Sequence, residues 1–458
     1  MRIAVITFHN TSNFGATLQC VALSCYLKEM GHQVEVINYL PPYIRDKKSI
    51  IKELKKIKYA DNKPKATVKG MAYLLHAREI GCKNRRFEKF IQKNLNLSHP
   101  YFTYSSLIDD PPAADLYLCG SDQIWNPSLT GGDFDEAFFL RFAKGKKASY
   151  GASLGELNID DHRDRLAALT EDFSAISVRE NSARKKLESA LNRRVETVLD
   201  CTLLIGKEAY SVMESREHNR PEPYLLLYNI QNSAVSVALA KRISKEKGLR
   251  IIDISPNFFV KIPGAKNMKD IGPDVFLSLF HNASYVVTNS FHGTVFSIIY
   301  EKQFITIPHS KRASRMLDLL EILGLKDRIA LESGYHEHSL IDYKEVNGKL
   351  QLAREKSLSY LRTVTANGIP FEELSKGSLK EHEKPLQKDR SIRNNIPNLV
   401  EQRVMCCGCA ACMNICRQNA IVMREDEEGF LYPHIDPDLC IRCYLCLKVC
   451  VFKRDLQL

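Results

Sequence analysis

The stretch RIAVITFHNTSNFGATLQCVALSCYLKEMGHQVEVINY, residues 2–39, decides the fold of most of this chain. It begins with an apolar run typical of a buried strand and passes through a helical pattern over residues 16–31. It ends in a second strand-like run over residues 32–39. A strand, a helix and a strand in this order predict two parallel strands joined by a crossover helix.

The same alternation of strand and helix patterns continues to about residue 340. Further strands are predicted over residues 114–121, 147–153, 173–180, 224–230, 249–255, 283–290 and 302–308. Helices are predicted over residues 236–248, 274–282, 315–324 and 346–366. The segment 195–205 is predicted to cross between two halves, and the last helix is predicted to pack back on the first half.

These patterns predict an α/β fold with two Rossmann-like halves, over residues 1–198 and 199–366, and a cleft between them. In such folds, ligands bind at the carboxyl ends of the strands. Residues 367–403 are charged, contain prolines and lack periodicity, which predicts a linker. A small α+β domain is predicted over residues 404–458, with a hairpin over residues 420–436.

Composition narrows the class of protein. The chain has 458 residues, 44% of them hydrophobic and 26% charged, which excludes general disorder and suggests about three domains. No apolar run has the length of a membrane-spanning helix, and the first residues form a strand pattern rather than a signal peptide. Cysteines outside the last 55 residues are scattered, which suits a reducing compartment. A cytoplasmic location is therefore expected.

The chain has a net charge of +11. The excess of basic residues lies before the last domain, and much of it lies within residues 45–86. We interpret this basic region as a solvated helix face. The alternative is attraction to phosphorylated substrates or peripheral contact with an anionic membrane. Aromatic residues are not interleaved with these charges in a base-stacking pattern, so no nucleic-acid partner is expected.

Two cysteine runs near the end of the chain carry the most specific signal. Each has the spacing C-x2-C-x2-C-x3-C, and their members are Cys406, Cys409, Cys412 and Cys416, then Cys440, Cys443, Cys446 and Cys450. Two such runs are what a pair of [4Fe-4S] clusters requires, and the fourth cysteine of each run then ligates the other cluster. This predicts one cluster on the first three cysteines with Cys450, and another on Cys440, Cys443 and Cys446 with Cys416. Zinc is the alternative, although zinc sites pair two C-x2-C knuckles around one ion.

Residues 405–452 resemble a bacterial two-cluster ferredoxin domain. Arg417 and Val451 stand where proline usually follows the fourth cysteine, which bears on the local turn and the reduction potential rather than on ligation. The resemblance implies electron transfer.

Three polar stretches follow predicted strands, at the edge where a ligand would bind. The first is HNTSNFGATLQ, in which Asn13 and Gly15 precede a helix; Gly15 is expected to permit a tight turn, and the helix start to attract an anion. The second, CGSDQIWNP, contains Asp122 and Trp125, which suits sugar binding unless Trp125 is a core residue. The third, TNSFHGTVFSIIY, contains Ser290, His292, Gly293 and Thr294. Ordinary loops and a structural histidine are the alternatives at each place.

In this order, NFGATLQCVAL, GSDQIWNP, SVREN and TNSFHGTVFSIIY resemble the polysaccharide pyruvyl transferase family over residues 1–365. The resemblance implies two Rossmann-like domains arranged as in GT-B glycosyltransferases. It also implies transfer of the enolpyruvyl group of phosphoenolpyruvate onto a cell-surface polysaccharide sugar as a ketal. The acceptor is then a sugar, free or lipid-linked.

The family resemblance implies roles for individual residues. The family's histidine falls on His292, an acid or base, and its arginine falls on Arg179, which Glu180 follows. Asp122 is expected to orient the acceptor. The family has an arginine two positions before the histidine, where this chain has Ser290. The nearest replacement cations in sequence are Lys311, Arg312 and Arg315.

Pyruvyl transfer involves no net redox change, so two further hypotheses stay open. In one, the chain is an iron–sulfur component that passes electrons to a flavin partner, while its first part binds a sugar or nucleotide. In the other, the first part is an inactive binding module. Similar transferases occur fused to, or encoded beside, proteins related to a deazaflavin-dependent hydrogenase beta subunit. Only residues 451–458 follow Cys450, which suggests a fusion of this kind that was cut short.

Overall fold

The structure is a computed structural model whose contacts divide the chain into residues 1–378 and 379–458, each described here by itself. In the first unit it describes residues 1–45, 74–155, 157–216, 222–308, 314–330 and 339–366. In the second it describes residues 397, 399, 406, 410–416, 418, 420–426 and 430–449. Apart from residues 397 and 399, the predicted linker lies outside the described residues, as does much of the basic region.

The first half of the larger unit is built on a parallel sheet. Its elements are β1 (Arg2–Ile6), α1 (Phe14–Glu29), β2 (Gln33–Val36), α2 (Pro42–Arg45), α3 (Ala77–Asn94), α4 (Tyr104–Asp109), β3 (Leu116–Cys119), β4 (Lys146–Ser149), α5 (Arg163–Thr170), β5 (Ser177–Val178), α6 (Asn181–Leu191) and β6 (Glu196–Thr197). The sheet order is β2-β1-β3-β4, and all pairings are parallel. The predicted strand–helix–strand unit is confirmed.

The short strands β5 and β6 form a separate parallel pair. The strand predicted over residues 173–180 is reduced to Ser177–Val178, because only single bridges join this segment to the end of β4. Beyond β6, the predicted crossover contains a 3-10 turn at Cys201–Leu203. This turn packs against α1, so the crossover starts next to the first helix.

The second half repeats the architecture with a five-stranded parallel sheet. Its elements are α7 (Lys207–Ser211), β7 (Tyr224–Tyr228), α8 (Ala234–Lys247), β8 (Arg250–Asp253), β9 (Lys266–Asn267), α9 (Pro273–His281), β10 (Tyr285–Thr288), α10 (Phe291–Ile299), β11 (Gln303–Thr306), α11 (Ser314–Leu323) and α12 (Tyr343–Thr365). The order is β11-β10-β7-β8-β9. Strands β7 and β10 are buried along their whole length, as expected for a sheet covered on both faces. The fold is thus α/β, with two Rossmann-like halves.

The long helix α12 returns to the first half, as the sequence predicts. The Tyr360 hydroxyl donates a hydrogen bond to the backbone oxygen of Ser149 at the end of β4 (2.7 Å). The Ser357 hydroxyl accepts a hydrogen bond from the amide of Leu199 (2.9 Å). One apolar core accordingly runs through both halves, from the inner face of the first sheet to helices α9, α10 and α11.

The second unit is small. It contains α13 (Ala411–Asn414), the antiparallel hairpin of β12 (Ile421–Glu425) and β13 (Leu431–Ile435), and α14 (Leu445–Val449). The hairpin is the one predicted between the two cysteine runs. Leu399, Cys412, Ile421 and Cys446 form its buried core. Among helices in the described part of the chain, none has the length and apolarity needed to cross a bilayer.

Candidate active site and candidate iron–sulfur site

Arg179, Asp200 and His292 form a buried polar cluster where the two halves of the larger unit meet. Nη1 of Arg179 donates a hydrogen bond to Oδ2 of Asp200 (2.5 Å), and Nε2 of His292 lies 3.7 Å from the same oxygen. The Asp200 side chain is completely buried. One carboxylate from the first half therefore holds an arginine and faces a histidine from the second half.

Local structure fixes each member of this cluster. Arg179 directly follows β5, and His292 lies in the first turn of α10. Asp200 caps the 3-10 turn that follows β6: its Oδ1 accepts hydrogen bonds from the Thr202 amide (3.0 Å) and hydroxyl (2.6 Å). Because these hydrogen bonds occupy Oδ1, Oδ2 stays directed at Arg179 and His292.

The electrostatics of the cluster favour a charged aspartate. Burial alone would raise the pKa of Asp200, but the Arg179 guanidinium and the His292 contact hold that pKa well below its usual range. Burial opposes the charge on Arg179, yet Asp200 and Glu180 outweigh it and raise the arginine's pKa. The carboxylate and the guanidinium thus stabilise one another's charged forms.

Several polar atoms of this cluster are buried without a hydrogen-bond partner in the described part of the chain. They are Nε and Nη2 of Arg179, Oε2 of Glu180 and Nε2 of His292. Buried polar groups in proteins are nearly always paired, so unpaired ones need an explanation. Four of them in one place indicate a site shaped for a polar ligand.

Gly15 serves a different purpose from the one its sequence context suggests. The predicted tight turn is wrong, because Gly15 lies inside the first turn of α1 and its φ is not positive. A Cβ built at this position would come within 2.0 Å of Nδ1 of His292. Glycine is required here because the imidazole packs directly on the backbone of α1.

Asp122 stands beside this cluster in a strained backbone conformation. Its φ is 81°, which is uncommon for residues other than glycine. Its Oδ1 lies 3.8 Å from Nη2 of Arg179 and accepts a hydrogen bond from the Gln123 amide (2.8 Å). Strain of this kind concentrates at functional sites. The structure therefore brings Asp122, Arg179 and His292 into one site.

Arg315 supplies a second guanidinium. Its Nε lies 3.6 Å from Oε1 of Glu180, and its guanidinium carbon lies 5.4 Å from the ring centre of Phe291. Arg179 approaches the same ring at 5.9 Å. Burial lowers the pKa of Arg315, and repulsion from Arg179 lowers it further. Lys311 and Arg312 lie outside the described residues.

The other residues predicted to bind substrate have structural contacts. The Asn13 side chain caps α1 by accepting a hydrogen bond from the Ala16 amide (3.3 Å). Ser290 is the buried N-cap residue of α10, and Gly293 leaves no room for a Cβ next to Thr288. The buried Thr294 hydroxyl hydrogen bonds to Thr306 (2.9 Å). Ser290, Gly293 and Thr294 thus shape the start of α10, and direct contact with substrate remains a prediction for them and for Asn13.

Trp125 is a core residue, which decides between the two interpretations of the tryptophan. It is fully buried and stacks on Phe139, with ring centres 5.0 Å apart. Its indole nitrogen donates a hydrogen bond to the Phe138 backbone oxygen (3.0 Å). A ring packed in this way has no face left for a sugar.

In the second unit, a cavity of about 300 Å³ is lined by four cysteines, Cys416, Cys440, Cys443 and Cys446. Ile421, Ile435 and Leu445 give it apolar walls. Among the described residues, no three His, Cys, Asp or Glu side chains converge as ligands of a single metal ion. Soft thiols spread around an apolar cavity fit an iron–sulfur cluster. Cys406 and Cys412 are described elsewhere in the unit, whereas Cys409 and Cys450 lie outside the described residues.

The backbone between these cysteines contains left-handed residues, which support an iron–sulfur cluster at this site. Arg442 and Tyr444 have φ values of 57°, and Ala410 has a φ of 54°. Ala410 and Tyr444 occupy the same position in the two cysteine runs, directly after the second cysteine. Left-handed residues among right-handed ones form nests of backbone N–H groups, which bind anions including iron–sulfur clusters. The two runs therefore share a local backbone conformation.

Comparison with known proteins identifies both parts of the chain. A model of the polysaccharide pyruvyl transferase family matches residues 13–311, which is more than half of the sequence. The chain belongs to the polysaccharide pyruvyl transferase family. A model of the 4Fe-4S dicluster domain matches residues 405–453. This pyruvyl transferase family member is therefore a transferase fused to an iron–sulfur domain.

Solved structures with a similar chain path share little sequence with this pyruvyl transferase family member. UDP-GlcNAc 2-epimerase from Methanocaldococcus jannaschii, bound to UDP-GlcNAc and UDP, is 13% identical, with a TM-score of 0.41, covering 79% of this chain and 100% of that chain. The Neisseria meningitidis enzyme bound to UDP-GlcNAc is 10% identical, with a TM-score of 0.40 and coverage of 80% and 95%. Arabidopsis thaliana UGT89C1 complexed with quercetin is 12% identical, with a TM-score of 0.38 and coverage of 81% and 98%. No curated protein matches the sequence.

Asp200 is the residue of this pyruvyl transferase family site that sequence reasoning missed. It lies in the segment 195–205, which was assigned only to the crossover between halves. A signal was present: Asp200 ends a short apolar run, as Asp122 and Glu180 do after their strands. A lone aspartate at a strand end is too common to identify a site until the fold shows what it faces.

Proposed function

We propose that this protein transfers the enolpyruvyl group of phosphoenolpyruvate onto a sugar of a cell-surface polysaccharide or its precursor, forming a pyruvate ketal. The observation that carries the proposal is the buried cluster of Arg179, Asp200 and His292, with unpaired donors on the arginine and the histidine. The family of the chain makes an anionic donor of this kind the expected ligand.

Arg179 and Arg315 are the proposed ligands for the donor's phosphate and carboxylate. Both guanidinium groups approach the ring of Phe291 at the start of α10, where backbone amides also favour an anion. Arg315 thereby takes the place of the arginine that Ser290 replaces in sequence. Three carboxylates, of Asp122, Glu180 and Asp200, face these two arginines and hold their guanidinium groups in place.

The reaction can be written with these residues. A proton from His292 goes to the methylene carbon of phosphoenolpyruvate, and this makes the central carbon electrophilic. Two hydroxyls of the acceptor sugar form C–O bonds to that carbon, and the bond to the phosphate oxygen breaks. The hydroxyls lose two protons: one restores His292, and the other leaves with inorganic phosphate.

Asp122 and Asp200 have different proposed tasks. Asp122 is partly exposed, and we assign it to the acceptor, where its carboxylate would orient a hydroxyl or accept its proton. Asp200 is completely buried and touches only protein, so we assign it to positioning. It would hold the Arg179 guanidinium and the His292 imidazole in one arrangement through the reaction.

For the second unit we propose two [4Fe-4S] clusters with crossed ligation. The cavity lined by Cys416, Cys440, Cys443 and Cys446 supports one cluster ligated by three cysteines of one run and the last of the other. The second would use Cys406, Cys409, Cys412 and Cys450. Such clusters supply one-electron transfer, and a flavin-containing protein is the proposed partner.

Donor binding is tested by titrating phosphoenolpyruvate into the full chain in a calorimeter. We expect micromolar binding to the parent. Arg315→Gln should weaken it roughly 10- to 100-fold, because a hydrogen bond to a charged group contributes about 1.5–3 kcal/mol. Arg315 is the better probe than Arg179, since removing Arg179 leaves the Asp200 carboxylate buried and unpaired.

Arg194→Gln is the matched control for this titration, because Arg194 is exposed and should not affect binding. His292→Ala should bind the donor more weakly and release phosphate roughly 10²- to 10⁴-fold more slowly. If the folded parent does not bind phosphoenolpyruvate, the transferase proposal is wrong. The clusters would then point to an oxidoreductase component whose first part binds another substrate.

Crossed ligation predicts which pairs of cysteine substitutions lose both clusters. With about eight iron atoms in the parent, Cys416→Ser/Cys440→Ser should keep about four, because both residues serve the same cluster. Cys416→Ser/Cys406→Ser should lose nearly all the iron, since each residue serves a different cluster. Iron analysis and the visible absorption of anaerobically purified protein measure this.

Cys82→Ser should retain all the iron, because Cys82 lies on α3, in the larger unit. Ligation within each run would give the opposite pattern: Cys416→Ser/Cys406→Ser would keep one cluster and Cys416→Ser/Cys440→Ser would lose both. The two schemes are therefore separated by iron content alone.

A further inference from the structure

Lys83 is a buried cation to which the reaction above gives no task. It lies on α3 and is 5% exposed. Its Nζ lies 5.2 Å from the ring centre of Phe14, 5.8 Å from that of Phe87 and 5.9 Å from that of Phe258. Three rings therefore surround the ammonium group.

In the described part of the chain, Lys83 has no carboxylate within ion-pair distance and no hydrogen-bond acceptor. Its charged neighbours are already paired. Lys269 forms a buried ion pair with Asp253, and Arg86 binds the Asp270 carboxylate at 2.7 Å. These five side chains carry three positive and two negative charges, and the unpaired positive charge is that of Lys83.

An unpaired ammonium is costly to bury, because aromatic rings replace only part of its hydration. Burial lowers the pKa of Lys83 to about 8, and Lys269 contributes to the lowering. A buried lysine with a perturbed pKa and no partner among the described residues is a candidate for a functional site.

The position of Lys83 places it near the candidate active site but separate from it. Phe14, over which the ammonium lies, directly precedes Gly15, on which His292 packs. Phe258 and Lys269 come from the second half, after β8, whereas α3 belongs to the first half. Lys83 therefore lies where the two halves meet, with its ammonium next to both Phe14 and Phe87.

We propose that Lys83 binds a phosphate or diphosphate group of the acceptor, so that the acceptor is a phosphorylated sugar rather than a free one. This rests on the proposed function, in which Arg179 and Arg315 hold the anionic groups of the donor. A second cationic site at the junction of the halves then serves the other substrate. A diphosphate can come from a lipid-linked sugar or from a nucleotide sugar.

The chemistry of the site favours phosphate over carboxylate. A carboxylate is best recognised by the planar fork of an arginine, whereas a lysine binds phosphate as a point charge. Lys83 is only 5% exposed, and this low exposure to water strengthens the attraction of the ammonium for an anion.

Calorimetric titration of inorganic pyrophosphate into the full chain, without phosphoenolpyruvate, tests the site directly. We expect Lys83→Met to weaken binding roughly tenfold or more. The same substitution should leave thermal stability unchanged or raise it, because it removes a buried unpaired charge. Affinity in the parent should fall as the pH rises through about 8, and Lys83→Met should lose that dependence. The other charged groups near this site, Lys269, Asp270, Arg86 and His76, are present in both proteins.

Lys89→Met, an exposed substitution on the same helix, is the control and should change neither affinity nor stability. Unchanged pyrophosphate affinity in Lys83→Met would overturn the proposal. If the variant lost stability but kept its affinity, Lys83 would be a structural cation, and the proposal would again be wrong. A lipid-linked sugar diphosphate, a nucleotide sugar and an unphosphorylated sugar are then compared as ligands. Tight binding of the unphosphorylated sugar, unaffected by Lys83→Met, would also overturn it. Because no turnover is measured, failure of pyruvyl transfer and failure of this site are separate results.

Discussion

Asp200→Asn should destabilise the protein by about 3–5 kcal/mol, the usual effect of removing one partner of a buried ion pair. The asparagine keeps the size of the side chain but leaves the Arg179 guanidinium charged and uncompensated in a buried site. Arg179 and His292 would also lose the oxygen that both face. Chemical denaturation followed by circular dichroism measures the change in the free energy of unfolding.

The pH dependence of stability gives the same prediction a second measurement. The pKa of Asp200 is depressed in the folded protein, so its contribution is fully present above its unfolded value of about 3.9. That contribution is lost as the pH falls through the folded value. Asp200→Asn should therefore flatten the acid side of the stability profile.

Asp164→Asn is the control, because Asp164 is exposed on α5 and should shift the unfolding free energy by less than about 0.5 kcal/mol. If Asp200→Asn lowers the free energy of unfolding by no more than this control does, the buried ion pair does not organise the site. A positioning role for Asp200 would then have to be abandoned.

His292→Ala should lower kcat for phosphate release roughly 10²- to 10⁴-fold, the usual contribution of a general acid or base. Gly15→Ala should lower it to a similar extent without touching a catalytic group, because the new methyl would occupy the place of the imidazole. The double variant Gly15→Ala/His292→Ala should be no worse than His292→Ala, since the smaller side chain leaves room for the methyl.

Gly348→Ala is the control for the glycine substitution. Gly348 lies within α12, and a Cβ there meets no atom within 4 Å, so alanine should stabilise the helix by about 0.5–1 kcal/mol. Additive losses in the double variant would contradict the packing of His292 on Gly15. An active Gly15→Ala would contradict it as well.

Hydrophobic periodicity predicted most strands of the two parallel sheets and the longest helices, because burying one face of each element is a local requirement visible in the sequence. Strand β9 and helices α4, α5, α6 and α7 were not predicted. The strand–helix–strand start, the second sheet and the hairpin between the cysteine runs were all predicted in place. The strand over residues 173–180 was predicted too long, since its pairing depends on partners that come from elsewhere in the chain. The role of Trp125 was ambiguous for the same reason: the local sequence around a tryptophan does not show whether its ring packs in a core or binds a sugar.

What the sequence by itself determined is the chemistry that depends on local spacing. The cysteine runs specify iron–sulfur ligands because three thiolates within seven residues wrap one face of a cluster. The strand-end motifs likewise placed Arg179 and His292 in the family pattern. The tertiary structure alone decided that Asp200 joins them and that Gly15 makes room for the imidazole. It also decided that Lys83 is buried with no ion-pair partner among the residues that the structure describes. Each of these depends on contacts between elements far apart in the chain, and such contacts leave no local pattern.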